Sequence, residues 1–304
     1  MIKLTIIGYG NVGKAISLLL LGSSHELHLN IMDPAEDKSG IFLDLQHAWM
    51  SQENKKLSIN DSAFVENSDF IFFTAGVPNT AGGSRLEKVE DNKKVVQEVF
   101  ECCSLKSRVK IIAITNPVDI ITSEIIRVTG LPWNQVVGTG TFLDSLRLKF
   151  YLSKLVNVSS AQLKTVILGE HGATQVPMRS LCSFESKPIT AHPLFTDHIF
   201  QQAAKSTRNA AAEIRKTEPA TSIAVAQCAV KIVEFWLSST EVTIPLSVKL
   251  DDSYNERFNL KKGLCISVPV SISKRGIGLQ PVSNFTKDEE EAFQKSIEAI
   301  LPFA

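Results

Sequence analysis

The sequence lacks any apolar run near the roughly 20 residues that cross a bilayer; runs such as Leu18 to Leu21 and Ile111 to Ile114 fall far short. A soluble protein with no membrane partner is expected. Excess charge of either sign is missing too: 32 basic and 32 acidic side chains cancel. Without a global field to draw in nucleic acid or an anionic surface, any anion must be held locally. Cysteine is sparse. The five (Cys102, Cys103, Cys182, Cys228, Cys265) are odd in number and form no C-x-x-C pair, which excludes a disulfide framework and points to the reducing cytoplasm. Internal repeats, low-complexity tracts and long charge runs are also missing. Three glycines and Lys14 break up Met1 to Leu21, so this stretch reads as folded structure rather than a signal peptide. With a strand beginning at Ile2, no extended N-terminal arm is expected.

At 304 residues and 44% apolar content the chain can bury a large core. Short apolar runs at Ile2–Ile7, Leu27–Met32, Phe70–Ala75, Lys110–Thr115 and Val136–Gly138 read as buried strands. Amphipathic stretches at Asn11–Leu21, Gly40–Met50, Arg85–Ser107 and Val118–Thr129 read as the helices between them. This alternation predicts an α/β fold, a doubly wound parallel sheet of Rossmann type over residues 1–140. Residues 141–304 change rhythm and predict a second, α+β domain. Its helices are expected at Thr141–Leu155, His198–Lys216, Ala220–Leu237 and Lys287–Ile300, its strands at Leu163–Leu168, Val242–Leu250, Leu264–Ser273 and Ile277–Val282.

Gly8-Tyr-Gly10-Asn-Val-Gly13 follows the first strand and opens the first helix, where a dinucleotide fold needs G-x-G-x-x-G. Gly8 permits the tight turn, Gly10 lets backbone N–H groups approach a pyrophosphate, and Gly13 lets helix and strand pack closely. Asp33 ends the second strand 20 residues beyond Gly13. A carboxylate there accepts ribose hydroxyls and repels a 2′-phosphate, which favours NAD over NADP. Read alone, Asp33-Pro34 is an ordinary turn start. The same glycines come close to a P-loop, but Ala15 follows Lys14 where a magnesium-binding Ser or Thr is required.

Further short motifs follow in order: Asp44-Leu-Gln-His47, Gly82-Gly-Ser-Arg85-Leu, Thr115-Asn116-Pro-Val-Asp119, Gly138-Thr-Gly-Thr-Phe-Leu-Asp144-Ser-Leu-Arg147 and Gly169-Glu-His171-Gly172. With the glycine turn, they resemble the L-lactate and malate dehydrogenase family over nearly the whole chain. The resemblance implies an NAD-dependent enzyme that moves a hydride between the cofactor and a small 2-hydroxy or 2-oxo acid, with its active site between the domains and no metal. His171 becomes the general acid and base, and Asp144 the carboxylate that orients its ring. Arg147 would clamp the substrate carboxylate through a bidentate fork, and Arg85 would polarise the reacting oxygen once its loop closes. Without that context, Asp144 and Arg147 read as an ordinary helical ion pair. Asn116 and Thr221 complete the expected substrate contacts. The expected NAD shell is Gly8, Gly10, Asn11, Val12, Gly13, Asp33, Thr74, Ala75, Gly76, Asn92, Thr115 and Asn116.

Substrate choice in the resembling family depends largely on one loop residue, which an ungapped loop places at Asn79. An uncharged residue leaves a second substrate carboxylate without a partner, so pyruvate or L-lactate is expected ahead of oxaloacetate or malate. Ala173, where many relatives are acidic, is a second departure. Longer-chain 2-hydroxy acids and a non-catalytic dinucleotide sensor remain alternatives. The resemblance also implies a homodimer or homotetramer. Lys149 and Lys164 stand at positions that bind a sugar bisphosphate in some bacterial relatives.

Overall fold

The structure, a computed structural model, describes residues 1–77, 88–101, 103–260, 263–281 and 285–303. The chain forms two compact units. The first comprises Met1–Gly138 and Ser222–Glu234, the second Thr139–Thr221 and Phe235–Ala304.

The first unit runs β1 (Ile2–Ile7), α1 (Asn11–Leu21), β2 (Leu27–Met32), α2 (Ser39–Met50), β3 (Lys55–Ile59), α3 (Ser62–Glu66), β4 (Phe70–Phe73), α4 (Val89–Phe100), β5 (Lys110–Ala113), α5 (Val118–Thr129) and β6 (Val136–Gly138). Its strands are parallel in the order β3-β2-β1-β4-β5-β6, the doubly wound dinucleotide arrangement. Parallel strands need helical crossovers, so both faces are covered and the strands are continuously apolar. All four residues of β4, Phe70 to Phe73, are buried. On one face Ile71, Phe73, Ile111 and Val136 pack with Val96 and Phe100 of α4 and with Ile121 and Ile125 of α5. Each such side chain taken out of water contributes about 1.5–3 kcal/mol. Gly130, left-handed at φ 65°, ends α5, a common glycine stop.

Two expectations are corrected here. The helix expected to run to Ser107 stops at Phe100. The chain then turns so that the N–H groups of Ser104 and Lys106 bond to the Glu66 side chain and carbonyl at the end of α3. The strand β3 was not anticipated: its sequence, Lys-Lys-Leu-Ser-Ile, has the charged character of an edge strand and little alternation. The start of the expected helix, Arg85 to Glu87, lies outside the described residues.

The second unit contains α6 (Phe142–Val156), β7 (Leu163–Lys164), β8 (Ile167–Leu168), β9 (Val176–Pro177), β10 (Ser183–Phe184), β11 (Lys187–Pro188), α7 (Asp197–Ile214), β12 (Val242–Lys249), α9 (Asp252–Arg257), β13 (Cys265–Ser273), β14 (Gly276–Leu279) and α10 (Lys287–Ile300). The helix between α7 and β12 is α8 (Ile223–Leu237). Strands β12, β13 and β14 form an antiparallel meander. Leu148 and Leu152 of α6 pack with Ile167, Phe195, Phe200 and Ala203.

The single strand expected over Leu163–Leu168 is two, because the chain changes partners midway. Strand β7 pairs with β10, and β8 with β9. Between them the Thr165 hydroxyl donates to the Ser145 carbonyl at 2.6 Å, and the Ile167 N–H donates to Ser145 Oγ at 2.8 Å. This irregular stretch is thereby stitched to α6, and it leads directly to His171.

Candidate active site

In the first unit the site is made mostly of backbone. Gly8 has φ +92°, and a Cβ there would lie 2.5 Å from the Ala75 nitrogen, so only glycine fits. The Gly8 N–H donates to the Met32 carbonyl at 2.8 Å, and the Thr74 hydroxyl donates to the Gly8 carbonyl at 2.6 Å. A Cβ on Gly13 would lie 2.3 Å from that same carbonyl. A Cβ on Gly10 would meet nothing within 4 Å. The turn is thus closed beneath Gly8 and Gly13 and open at Gly10, where a helix N-terminus favours a phosphate. Asn11 is exposed and Val12 half-buried at the start of α1.

Asp33 is buried and accepts from the Tyr9 N–H at 2.6 Å, the Ala35 N–H at 3.1 Å and the Lys38 ammonium. Burial pushes its carboxyl up, but the bonds from Lys38, Tyr9 and Ala35 outweigh this and hold it below the usual carboxylate range. A carboxylate offers about four acceptor positions, so capacity remains for a ribose hydroxyl. The Lys38 contact was not expected from sequence.

The ends of β4 and β5 are tied together. The Thr115 hydroxyl donates to the Ala75 carbonyl at 2.7 Å. Asn92, buried in α4, accepts from the Val77 N–H and donates to the Asn116 carbonyl, both at 2.7 Å. A Cβ on Gly76 would strike Thr115 Cγ2 at 2.7 Å. Asn116 Oδ1 is buried with no hydrogen-bond partner among the described residues, as expected of an atom that waits for a ligand. The open space at Gly10, the remaining capacity of Asp33 and the orphaned Asn116 oxygen all suit a dinucleotide.

In the second unit the site is made of side chains. Asp144 lies in the first turn of α6 and Arg147 one turn later. The guanidinium donates Nη1 to Asp144 Oδ1 at 3.1 Å, and His171 Nδ1 lies 2.6 Å from Asp144 Oδ2. Asp144 is 3% exposed. In so dry a place a carboxylate flanked by guanidinium and imidazole is a pure acceptor, which sets the proton on Nδ1. The sequence-predicted His171, Asp144 and Arg147 are therefore together. Thr221 is half-buried in the coil before α8. Arg85 and Asn79 lie outside the described residues. Lys149 lines a surface cavity of about 540 Å³ with Phe150 and Lys154, and Lys164 is exposed in β7.

Sequence reasoning missed the hydroxyls that hold these groups in place. Thr141, which precedes α6, donates its N–H to Ser267 Oγ at 3.0 Å. Ser267 also pairs its backbone with Gly169, two residues before His171. A buried serine within an apolar strand was the available signal. Among the described residues no group of three or more His, Cys, Asp or Glu side chains is placed to hold a metal ion, and no helix is long and apolar enough to cross a membrane.

A dinucleotide turn in one unit and a histidine–carboxylate–guanidinium group in the other define a nicotinamide-dependent oxidoreductase. Residues 2–138 match the model of the lactate/malate dehydrogenase NAD binding domain, and residues 141–301 that of the alpha/beta C-terminal domain. The chain belongs to the lactate/malate dehydrogenase family, NAD-dependent dehydrogenases of 2-hydroxy acids. It is 31% identical over 303 residues to an L-lactate dehydrogenase of Lacticaseibacillus casei, covering 97% of this chain and 90% of that one. It is 30% identical over 298 residues to a malate dehydrogenase of Methanococcus maripaludis, covering 96% and 94%. The structure is similar to that of the minor L-lactate dehydrogenase of Enterococcus mundtii, with a TM-score of 0.88 and 25% identity, covering 99% of this chain and 97% of that one.

Proposed function

We propose that the enzyme interconverts pyruvate and L-lactate, with the first unit holding NAD and the second holding the carboxylate and the reacting hydroxyl of the acid. The observation that carries the chemistry is the 2.6 Å contact between His171 Nδ1 and Asp144 Oδ2. With Nδ1 donating to Asp144, Nε2 is the basic nitrogen; it takes the hydroxyl proton in oxidation and returns it in reduction. The cation formed on His171 is stabilised by the Asp144 charge. Arg147 holds the substrate carboxylate, and its own bond to Asp144 fixes the plane of the guanidinium. Arg85 polarises the C2 oxygen and Asn116 accepts from the bound ligands. NAD, when bound, accepts or supplies the hydride.

Asn79 supports a substrate with an uncharged side chain, since a second carboxylate enclosed without a cation is strongly disfavoured. Five cysteines, an odd number with no C-x-x-C pair, support a cytoplasmic location. The family resemblance alone supports a homodimer or homotetramer. The test is NADH oxidation with a panel of pyruvate, oxaloacetate and branched 2-oxo acids. Pyruvate is expected to exceed oxaloacetate in kcat/KM by roughly 100-fold; comparable values would overturn the assignment of pyruvate.

A further inference from the structure

The loop that carries His171 joins β8 to β9, and one of its anchors is a side chain far away in sequence. Ser296 lies in the C-terminal helix α10, in an apolar stripe with Phe293, Ile297 and Ile300, and is completely buried. A buried hydroxyl requires partners, and those of Ser296 lie in the His171 loop. The Glu170 N–H donates to Ser296 Oγ at 2.7 Å, and Thr174 Oγ1 lies 3.2 Å from the same atom. Thr174 in turn donates its N–H to Glu170 Oε2 at 3.0 Å, and its hydroxyl also bonds to that carboxylate. Loop and helix meet at the closest possible approach: Gly169 has φ +88°, and a Cβ there would lie 2.5 Å from Ser296 Oγ. The Gly169–Glu170 peptide, one residue before His171, is thus held by α10, while Asp144 is held on α6.

We propose that Ser296 is a positioning residue for the acid–base step: it fixes the backbone of the Glu170–Thr174 loop so that His171 Nδ1 meets Asp144 Oδ2. Without its hydroxyl the Glu170 N–H loses its acceptor, the loop shifts, and the ring no longer sits squarely on the carboxylate. The proposal rests on the reading of His171 as the acid–base group.

The test compares Ser296→Ala, Ser296→Cys and Thr174→Val in the full chain, with NADH and pyruvate as probes and His171→Asn as the control. For Ser296→Ala, kcat is expected to fall about 10-fold, the order of effect produced by small misplacement of a reacting group. KM for pyruvate, set by Arg147 on α6, and Kd for NADH should stay within about twofold. A looser Asp144 contact stabilises the imidazolium less, so the alkaline limb of the pyruvate-reduction profile should move to lower pH. Ser296→Cys, which keeps a weak hydrogen-bonding atom in nearly the same volume, should recover part of kcat. Thr174→Val should lower kcat in the same direction, and decides the matter if Ser296→Ala does not fold. Wild-type kcat and pH profile in the variants, with His171→Asn inactive, overturn the role of Ser296 alone. Wild-type turnover in His171→Asn overturns the underlying reading.

Discussion

The two units solve the problem of a site by opposite means. In the first, most groups offered to a ligand are backbone atoms at strand ends and a glycine turn, shaped by the absence of side chains at Gly8, Gly13 and Gly76, with Asp33 and Asn116 as the side-chain exceptions. In the second, they are three ionisable side chains, His171, Asp144 and Arg147, held by buried hydroxyls. A phosphate asks only for N–H groups and room, which backbone supplies. Moving a proton requires a group that titrates in a fixed place, and only side chains do that. The first unit should therefore be most sensitive to atoms added, and the second to atoms removed.

The largest effect should come from removing the titrating group. His171→Asn is expected to lower kcat by about 10³-fold or more while Kd for NADH, measured by fluorescence, stays near wild type; equal loss of both would erase the contrast. Asp144→Asn should lower kcat by about 10²-fold or more, because an amide can present the wrong atom to Nδ1 and so favour the wrong tautomer. Adding one carbon at Gly8 should do the reverse. Gly8→Ala forces φ +92° on an L-residue and a contact near 2.5 Å with backbone. NADH affinity should weaken by about 10-fold or more, with a lower Tm; unchanged affinity would show that the turn relaxes.

The smallest effects are those of pH on stability. Asp33 and Asp69 are pushed up by burial but held lower still by hydrogen bonds, chiefly from Lys38 and Lys106. Glu124 is held low by Arg127 and Gln97. All three are in the first unit. Carboxyls with depressed folded-state pKa contribute stability that is present above about pH 4 and lost as pH falls through the folded value. In the second unit burial pushes the Cys182 thiol up to about 12, so its contribution is present below its unfolded value and lost as pH rises toward 12. Hydrogen exchange should thus show the amides around Asp33, Asp69 and Glu124 loosening as pH falls below about 4, and a thiol reagent should reach Cys182 only at strongly alkaline pH; exchange there that is flat with acid would remove these carboxylates from the stability of the first unit.

The same contrast explains what could be read from sequence. Strands β1, β2 and β6 and helices α1 and α5 have the bounds their apolar runs indicated, because a buried parallel strand and an amphipathic helix each leave a periodic trace. The glycine turn was legible because only glycine fits at Gly8 and Gly13, and His171, Asp144 and Arg147 because the family motifs carry them. Edge strand β3 left no trace, since its two lysines, Lys55 buried and Lys56 exposed, break the apolar pattern. The two-residue strands β9, β10 and β11 are too short for any period. Ser267 and Ser296 were invisible as support: a hydroxyl in an apolar stripe announces burial but does not name the distant N–H it will meet.

Helix α8 has a consequence for how the protein is made. Segment Ser222–Glu234 belongs with the first unit, although it begins 84 residues after Gly138, and Ala226, Cys228, Ala229 and Ile232 within it are fully buried. At about 5–20 residues per second, a ribosome needs on the order of 4–17 s to bring that helix out after the last strand of the sheet. Through that interval the nascent nucleotide unit lacks one of its own pieces, so its completion must wait until most of its neighbour has already been synthesised.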